Sequence, residues 1–131
     1  MVSTIGSKLV TTLTSIVNVM LDEDATNSYP YAVYRTQLSD VWTKGGVYKQ
    51  TGRLYLTLYS QDYATAKTKI GLIKDAITTN MVGEQYRMVL TNDAATCDDG
   101  LWSWELEYNA SEYAVQPTPQ APQNETEDSN N

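Results

Sequence analysis

Apolar residues near the start of the chain recur every three or four positions, at Ile5, Leu9, Leu13, Ile16 and Met20, and Val10 and Val17 widen the stripe. That period predicts an amphipathic helix over residues 4 to 21. Ser3 or Ser7 is placed to cap its start, and Asp22, Glu23 and Asp24 mark its end, although negative charge there opposes the helix dipole. A loop containing Asn27, Ser28 and Pro30 follows. "YAVYRT", residues 31 to 36, is rich in β-formers and begins just after the proline, where a strand tolerates one.

After a break at "SDVWTKGG", the segment "VYKQTGRLYLTLYS" alternates with period two. Leu54, Leu56 and Leu58 take one face, and Tyr55, Thr57 and Tyr59 the other. Gly52 either turns a tight hairpin between Tyr48 and Leu54 or bends one long strand. The pattern returns to helical spacing in "DYATAKTKIGLIKDAITTN", with Tyr63, Ala66, Ile70, Ile73 and Ile77 on one side. Ser60 or Asp62 is the N-cap, and Asn80 is expected to close the helix in a left-handed conformation. Two further strands read from "EQYRMVLTND" and "LWSWELEYN", the first with Tyr86, Met88 and Leu90 on one face. The second sets Trp102, Trp104, Leu106 and Tyr108 against Ser103, Glu105 and Glu107. "DAATCDDG" is expected between them as a polar loop with an Asp-Gly turn signal.

The predicted fold is α+β: a mostly antiparallel sheet of four to five strands with two helices packed on one face. Residues 1–110 form a single domain. From Ser111 the composition shifts to prolines, Gln, Asn and acids, which predicts a disordered or polyproline-like tail over 111–131. A chain of 131 residues suits one core.

Charge narrows the function. The net charge is −7, from nine Lys and Arg against sixteen Asp and Glu, and this opposes tight sequence-independent binding of nucleic acid. The body is only mildly acidic, because the last 21 residues hold Glu112, Glu125, Glu127 and Asp128 and no cation. A lone cysteine, Cys97, forms no intrachain disulfide. No secretory leader and no long apolar run is visible, so a soluble protein with no membrane role is expected.

Residue types narrow it further. Without histidine there is no Ser-His-Asp, Cys-His or His-metal site, and one cysteine builds no zinc cage. Asp93, Asp98 and Asp99 are hard oxygen donors, but their spacing fits no EF-hand and a solvated hairpin connection explains them better. The expectation is a protein without catalytic residues, metal or cofactor. Tyrosine is the unusual feature: there are ten Tyr and no Phe. A ring with a hydroxyl suits a boundary that is packed on one side and wet on the other, and Tyr and Arg are enriched at protein interfaces. Tyr31, Tyr34, Arg35, Tyr48, Arg53, Tyr55 and Tyr59 are therefore candidate subunit-interface residues. The alternative use of Arg35, Lys49, Arg53 and Arg87 among tyrosines is a stacking platform for single-stranded nucleic acid.

The string "YPYAVYR", then "TGRLYLTLYSQD" running into "YATAKTKIGLIKDAI", and finally "LWSWELEYNAS" resembles the tail terminator and tail completion proteins of long-tailed bacteriophages across about residues 5 to 110. The resemblance implies an α+β subunit assembling as a hexameric ring at the head-proximal end of a phage tail. Such a ring stops polymerisation of the tail tube protein and presents a surface to the head connector or neck protein, while DNA passes through without specific binding. It implies location in the virion after assembly in the host cytoplasm, and it brings no catalytic residue. Head-to-tail joining proteins share the architecture and are the near alternative.

Overall fold

The computed structural model describes residues 3–21 and 28–114. Along the chain these form α1 (Ile5–Leu13), β1 (Asn18–Leu21), β2 (Tyr31–Thr43), β3 (Gly46–Ser60), α2 (Tyr63–Asn80), β4 (Tyr86–Asp98) and β5 (Leu101–Tyr113). The strands make one sheet in the order β1-β2-β3-β5-β4. Every pairing is antiparallel except that of β1 with β2. Both helices cover one face, so the α+β sandwich expected from the periodicity is what the chain forms.

Alternation in the central strands selects that face. Leu54, Leu56 and Leu58 of β3 lie beside Leu106, Tyr108 and Ala110 of β5 in one buried cluster. Ile5, Leu9 and Leu13 of α1 and Ala66, Ile70, Ile73 and Ile77 of α2 close over them. Leu56 is fully buried in this cluster, and truncating such a leucine to alanine typically costs about 2–5 kcal/mol.

The first helix is shorter than its periodicity predicts. It stops at Leu13, and Asn18–Leu21, expected as its last turn, pairs in parallel with Tyr31–Tyr34. Apolar residues at 16, 17, 19 and 20 fit either period. Thr14, Ser15, Val17 and Asn18 are weak helix formers, so pairing at the sheet edge wins. Lys69 of α2 donates from Nζ to the Ile16 carbonyl at 2.5 Å, satisfying an acceptor the shortened helix leaves behind.

The start of α1 is capped from across the fold. Neither Ser3 nor Ser7 acts as the expected N-cap; Thr4 holds that position, without a capping bond from its own side chain. The Glu112 carboxylate accepts instead from Thr4 N–H at 2.8 and 3.0 Å, Ile5 N–H at 2.9 Å, Thr4 Oγ1 at 2.6 Å and Ser3 Oγ at 3.1 Å. Thr4 Oγ1 also lies 2.5 Å from the Tyr86 hydroxyl. An anion at a helix N-terminus satisfies orphan donors and the dipole together. Glu112 is buried at the end of β5, so the ordered strand passes the boundary expected at residue 110. The remainder of the expected tail, residues 115–131, lies outside the described residues.

Both hairpins are longer than expected. Strand β2 continues through "SDVW" to Thr43, the turn falls at Lys44–Gly45, and β3 is one uninterrupted strand. Gly52 is needed inside it because a Cβ there would sit 1.9 Å from the Gln37 carbonyl oxygen of β2. "DAATCDDG" is likewise mostly strand, and the turn is confined to Asp99 and Gly100, with φ of 53° and 80°. Two positive φ values are what a tight Asp-Gly hairpin requires. At α2, Asp62 is the N-cap, accepting from Thr65 N–H at 2.9 Å and Thr65 Oγ1 at 2.8 Å. Asn80 stays helical and Met81 ends the helix with a negative φ, so no left-handed closure occurs.

Candidate functional site

The face of the sheet away from the helices is the candidate site, and strand register builds it. Tyr31 lies opposite Tyr59, Arg35 opposite Tyr55, and Gln37 opposite Arg53. Because these positions alternate with the buried leucines, all of their side chains share the uncovered face. β5 continues the same face with Glu105, Glu107 and Asn109.

The side chains form defined pairs. The Arg35 guanidinium sits 4.1 Å from the centre of the Tyr55 ring, a cation–π contact. Arg53 Nη1 meets Glu107 Oε2 at 2.9 Å across β3 and β5. Three tyrosines make a run: Tyr29 to Tyr31 at 5.4 Å and Tyr31 to Tyr59 at 5.3 Å between ring centres. Burial, then the neighbouring Tyr29 and Tyr59, raises the pKa of Tyr31, so its phenol stays a neutral donor. The surface is thus aromatic and polar, with Arg53 and Glu107 paired inside it.

Of the seven candidates, Tyr31, Arg35, Arg53, Tyr55 and Tyr59 are brought together here. Tyr48 lies near the end of the β2–β3 hairpin, packed edge-on against Tyr113 at 5.8 Å. Tyr34 faces the other way: it packs against the core, and a Cβ on Gly6 of α1 would come within 2.8 Å of its hydroxyl. Period two within "YAVYRT" separates Tyr31 from Tyr34, but only the docking of α1 shows which of them is covered.

On the helix side, Asp93 is a structural anchor. A bulge between Leu90 and Asn92 turns Asp93 toward α2, where Lys74 Nζ donates to it at 2.6 Å and Trp104 Nε1 at 2.6 Å. Burial opposes its ionisation, but the bonds from Lys74 and Trp104 and the Lys74 charge outweigh it and hold the carboxyl below its ordinary pKa. Among the described residues no cluster of His, Cys, Asp or Glu is arranged to hold a metal ion. A second ring cluster was not anticipated from sequence: Tyr63 at the start of α2 lies 4.8 Å from Trp102 and stacks on Trp104 at 5.9 Å. Its signal was the Trp-x-Trp alternation, which reads equally well as core.

No protein-family model and no curated protein matches the chain. Its fold does match a solved structure. A chain from a structure described as the virion of a native gene transfer agent (GTA) particle superposes with a TM-score of 0.52 at 15% identity, covering 81% of this chain and 84% of that one. The two share a fold over most of their lengths.

Proposed function

We propose that this protein is a structural component of a phage-type virion, without enzymatic activity. The observation that carries the reading is the shared fold with a chain of a gene transfer agent virion over most of both chains. The more specific role we propose is a ring, hexameric in the resemblance, at the head-proximal end of a tail, ending growth of the tube and meeting the head connector. A neck protein that joins head to tail is the close variant of this reading.

The sheet supports assembly. A ring of identical subunits joins one surface to a different one on its neighbour, and the Tyr31–Tyr59–Tyr55–Arg35 face offers the large, rigid, half-wet rings such contacts use. Glu105 and Glu107 on the same face, with Arg53 already paired to Glu107, oppose single-stranded nucleic acid as the ligand. The net acidity suits DNA sliding past without adhesion. Native mass measurement of the purified protein, alone and with tail tubes, tests the role. A hexamer, or rings at tube ends in electron micrographs, is expected; a monomer that never binds tube ends overturns it.

A further inference from the structure

The sheet has two open edges. β4 is outermost along its whole length, and on the other side β1 pairs with residues 31–34 alone, so among the described residues nothing pairs with the outer side of β2 over 35–43. An unpaired edge presents a row of N–H and C=O groups that a further strand can complete, and folded proteins usually blunt such an edge with lysine or proline. Neither residue type occurs in 86–98 or in 35–43. Val89 and Leu90, which point to opposite faces of β4, are 46% and 38% exposed beside its open edge.

The two edges are complementary. β2 runs antiparallel to β3, β3 to β5 and β5 to β4, so β4 is antiparallel to β2 and can continue the ladder onto the β2 edge of a second copy. Charge favours that pairing over a symmetric one. On the uncovered face Arg53 and Glu107 are paired with each other, which leaves Arg35 and Lys49 on the β2–β3 half. Asp40, the one acid of these two strands, lies on the helix side, bonded to Gln50. The β5–β4 half carries Glu105 and Asp98 against Arg87. Joining β4 to β2 sets the negative half of one face beside the positive half of the next, whereas β4 against β4, or β2 against β2, sets like halves together.

We propose that the ring closes by β4 of each subunit pairing antiparallel with β2 of the next, residues 86–92 against 35–40, so that one sheet runs on from subunit to subunit. This rests on the ring proposed for the protein and names its contact. Rotation alone relates neighbours in a closed ring. With the strands along the ring axis, residues at one level of the sheet meet the same level of the next copy. Val89 is level with Asn109, Arg53 and Gln37, and Asn92 with Glu107, Tyr55 and Arg35. Val89 thus falls beside Gln37 of the neighbouring subunit, and Asn92 beside its Arg35. The neighbour's β1 ends the pairing there, because it already occupies residues 31–34. From the neighbour's Arg35, the β5 strand with Glu105 and Glu107 is two strand spacings away, ~10 Å, which two long side chains span together. The seam runs along the margin of the tyrosine face, so edge and face belong to one contact.

Paired cysteines test it, in full-length protein with Cys97→Ser. Val89→Cys is combined with Gln37→Cys; Val89→Cys with Ser39→Cys, and Arg87→Cys with Gln37→Cys, follow a slip of two residues either way, the smallest that keeps each side chain on its face. Each protein is weighed by native mass spectrometry, alone and with tail tubes, then oxidised and run on a denaturing gel without reductant. One of the three pairs should give a covalent ladder up to the full ring, and each cysteine alone should give monomer. A ring by native mass that yields no ladder with any pair overturns the edge contact and leaves the ring standing. A dimer by native mass, or a covalent dimer from Val89→Cys alone, sets β4 against β4 and also overturns it. Protein that stays monomeric with tubes present overturns the ring and this contact together.

Discussion

Glu112 shows how one residue can change meaning once the chain is folded. In sequence it is one acid among several in a proline-rich end; in the structure its two oxygens close the first turn of α1. Glu112→Ala leaves the Thr4 and Ile5 amides without an acceptor and should destabilise the protein by about 2–5 kcal/mol in urea unfolding, and Glu112→Gln, which keeps one acceptor oxygen, by less. Tyr108 gives a pH prediction. Burial, and then the Asp93 charge, pushes its pKa up to about 12 from 10.0. A raised phenol pKa means that the unfolded chain deprotonates first. The stabilisation is therefore complete below pH 10 and is lost as the pH rises toward 12, by about 2–3 kcal/mol in all. Unfolding measured between pH 8 and 12 should show that loss, and Tyr108→Phe should remove its share.

At the level of elements, period was a good guide wherever a segment could bury only one way. Ala66, Ile70, Ile73 and Ile77 define α2 in sequence and in the core, and Leu54, Leu56 and Leu58 define the buried side of β3. Residues 16 to 20 satisfy helix and strand patterns alike, and pairing with β2 decided between them. The hairpin ends were hidden for another reason: the exposed strand residues at Ser39–Asp40 and Ala94–Asp98 resemble loop because they pack on little and are held mainly by the backbone ladder. The β4 bulge is similarly invisible in sequence. Every residue after Thr91 pairs with β5 as though Thr91 were not there, since Leu90 faces Tyr108 and Asn92 faces Glu107. Deleting Thr91 should therefore leave the fold and the Asp93–Trp104 contact intact, visible as an unchanged near-ultraviolet circular dichroism spectrum, with a stability loss limited to about 1 kcal/mol for the Thr91 hydroxyl bond to Glu107.

For the whole molecule, the test is whether the uncovered face joins subunits. Tyr55→Ala or Tyr59→Ala removes an exposed-face ring without touching the leucine core, so the far-ultraviolet spectrum should be unchanged while native mass shifts from ring to monomer; a ring that persists in both variants would exclude this face as the contact. The sequence by itself determined the α+β class, the second helix, the buried leucine face and the Asp-Gly turn, because each rests on local periodicity or on the φ demanded of one residue. Only the tertiary structure decided where α1 ends, which of Tyr31 and Tyr34 is covered, that Asp93 turns inward and that Glu112 caps a helix whose first residue is 107 positions away. Those outcomes depend on partners distant in the chain, and a pattern confined to neighbouring residues holds no record of them.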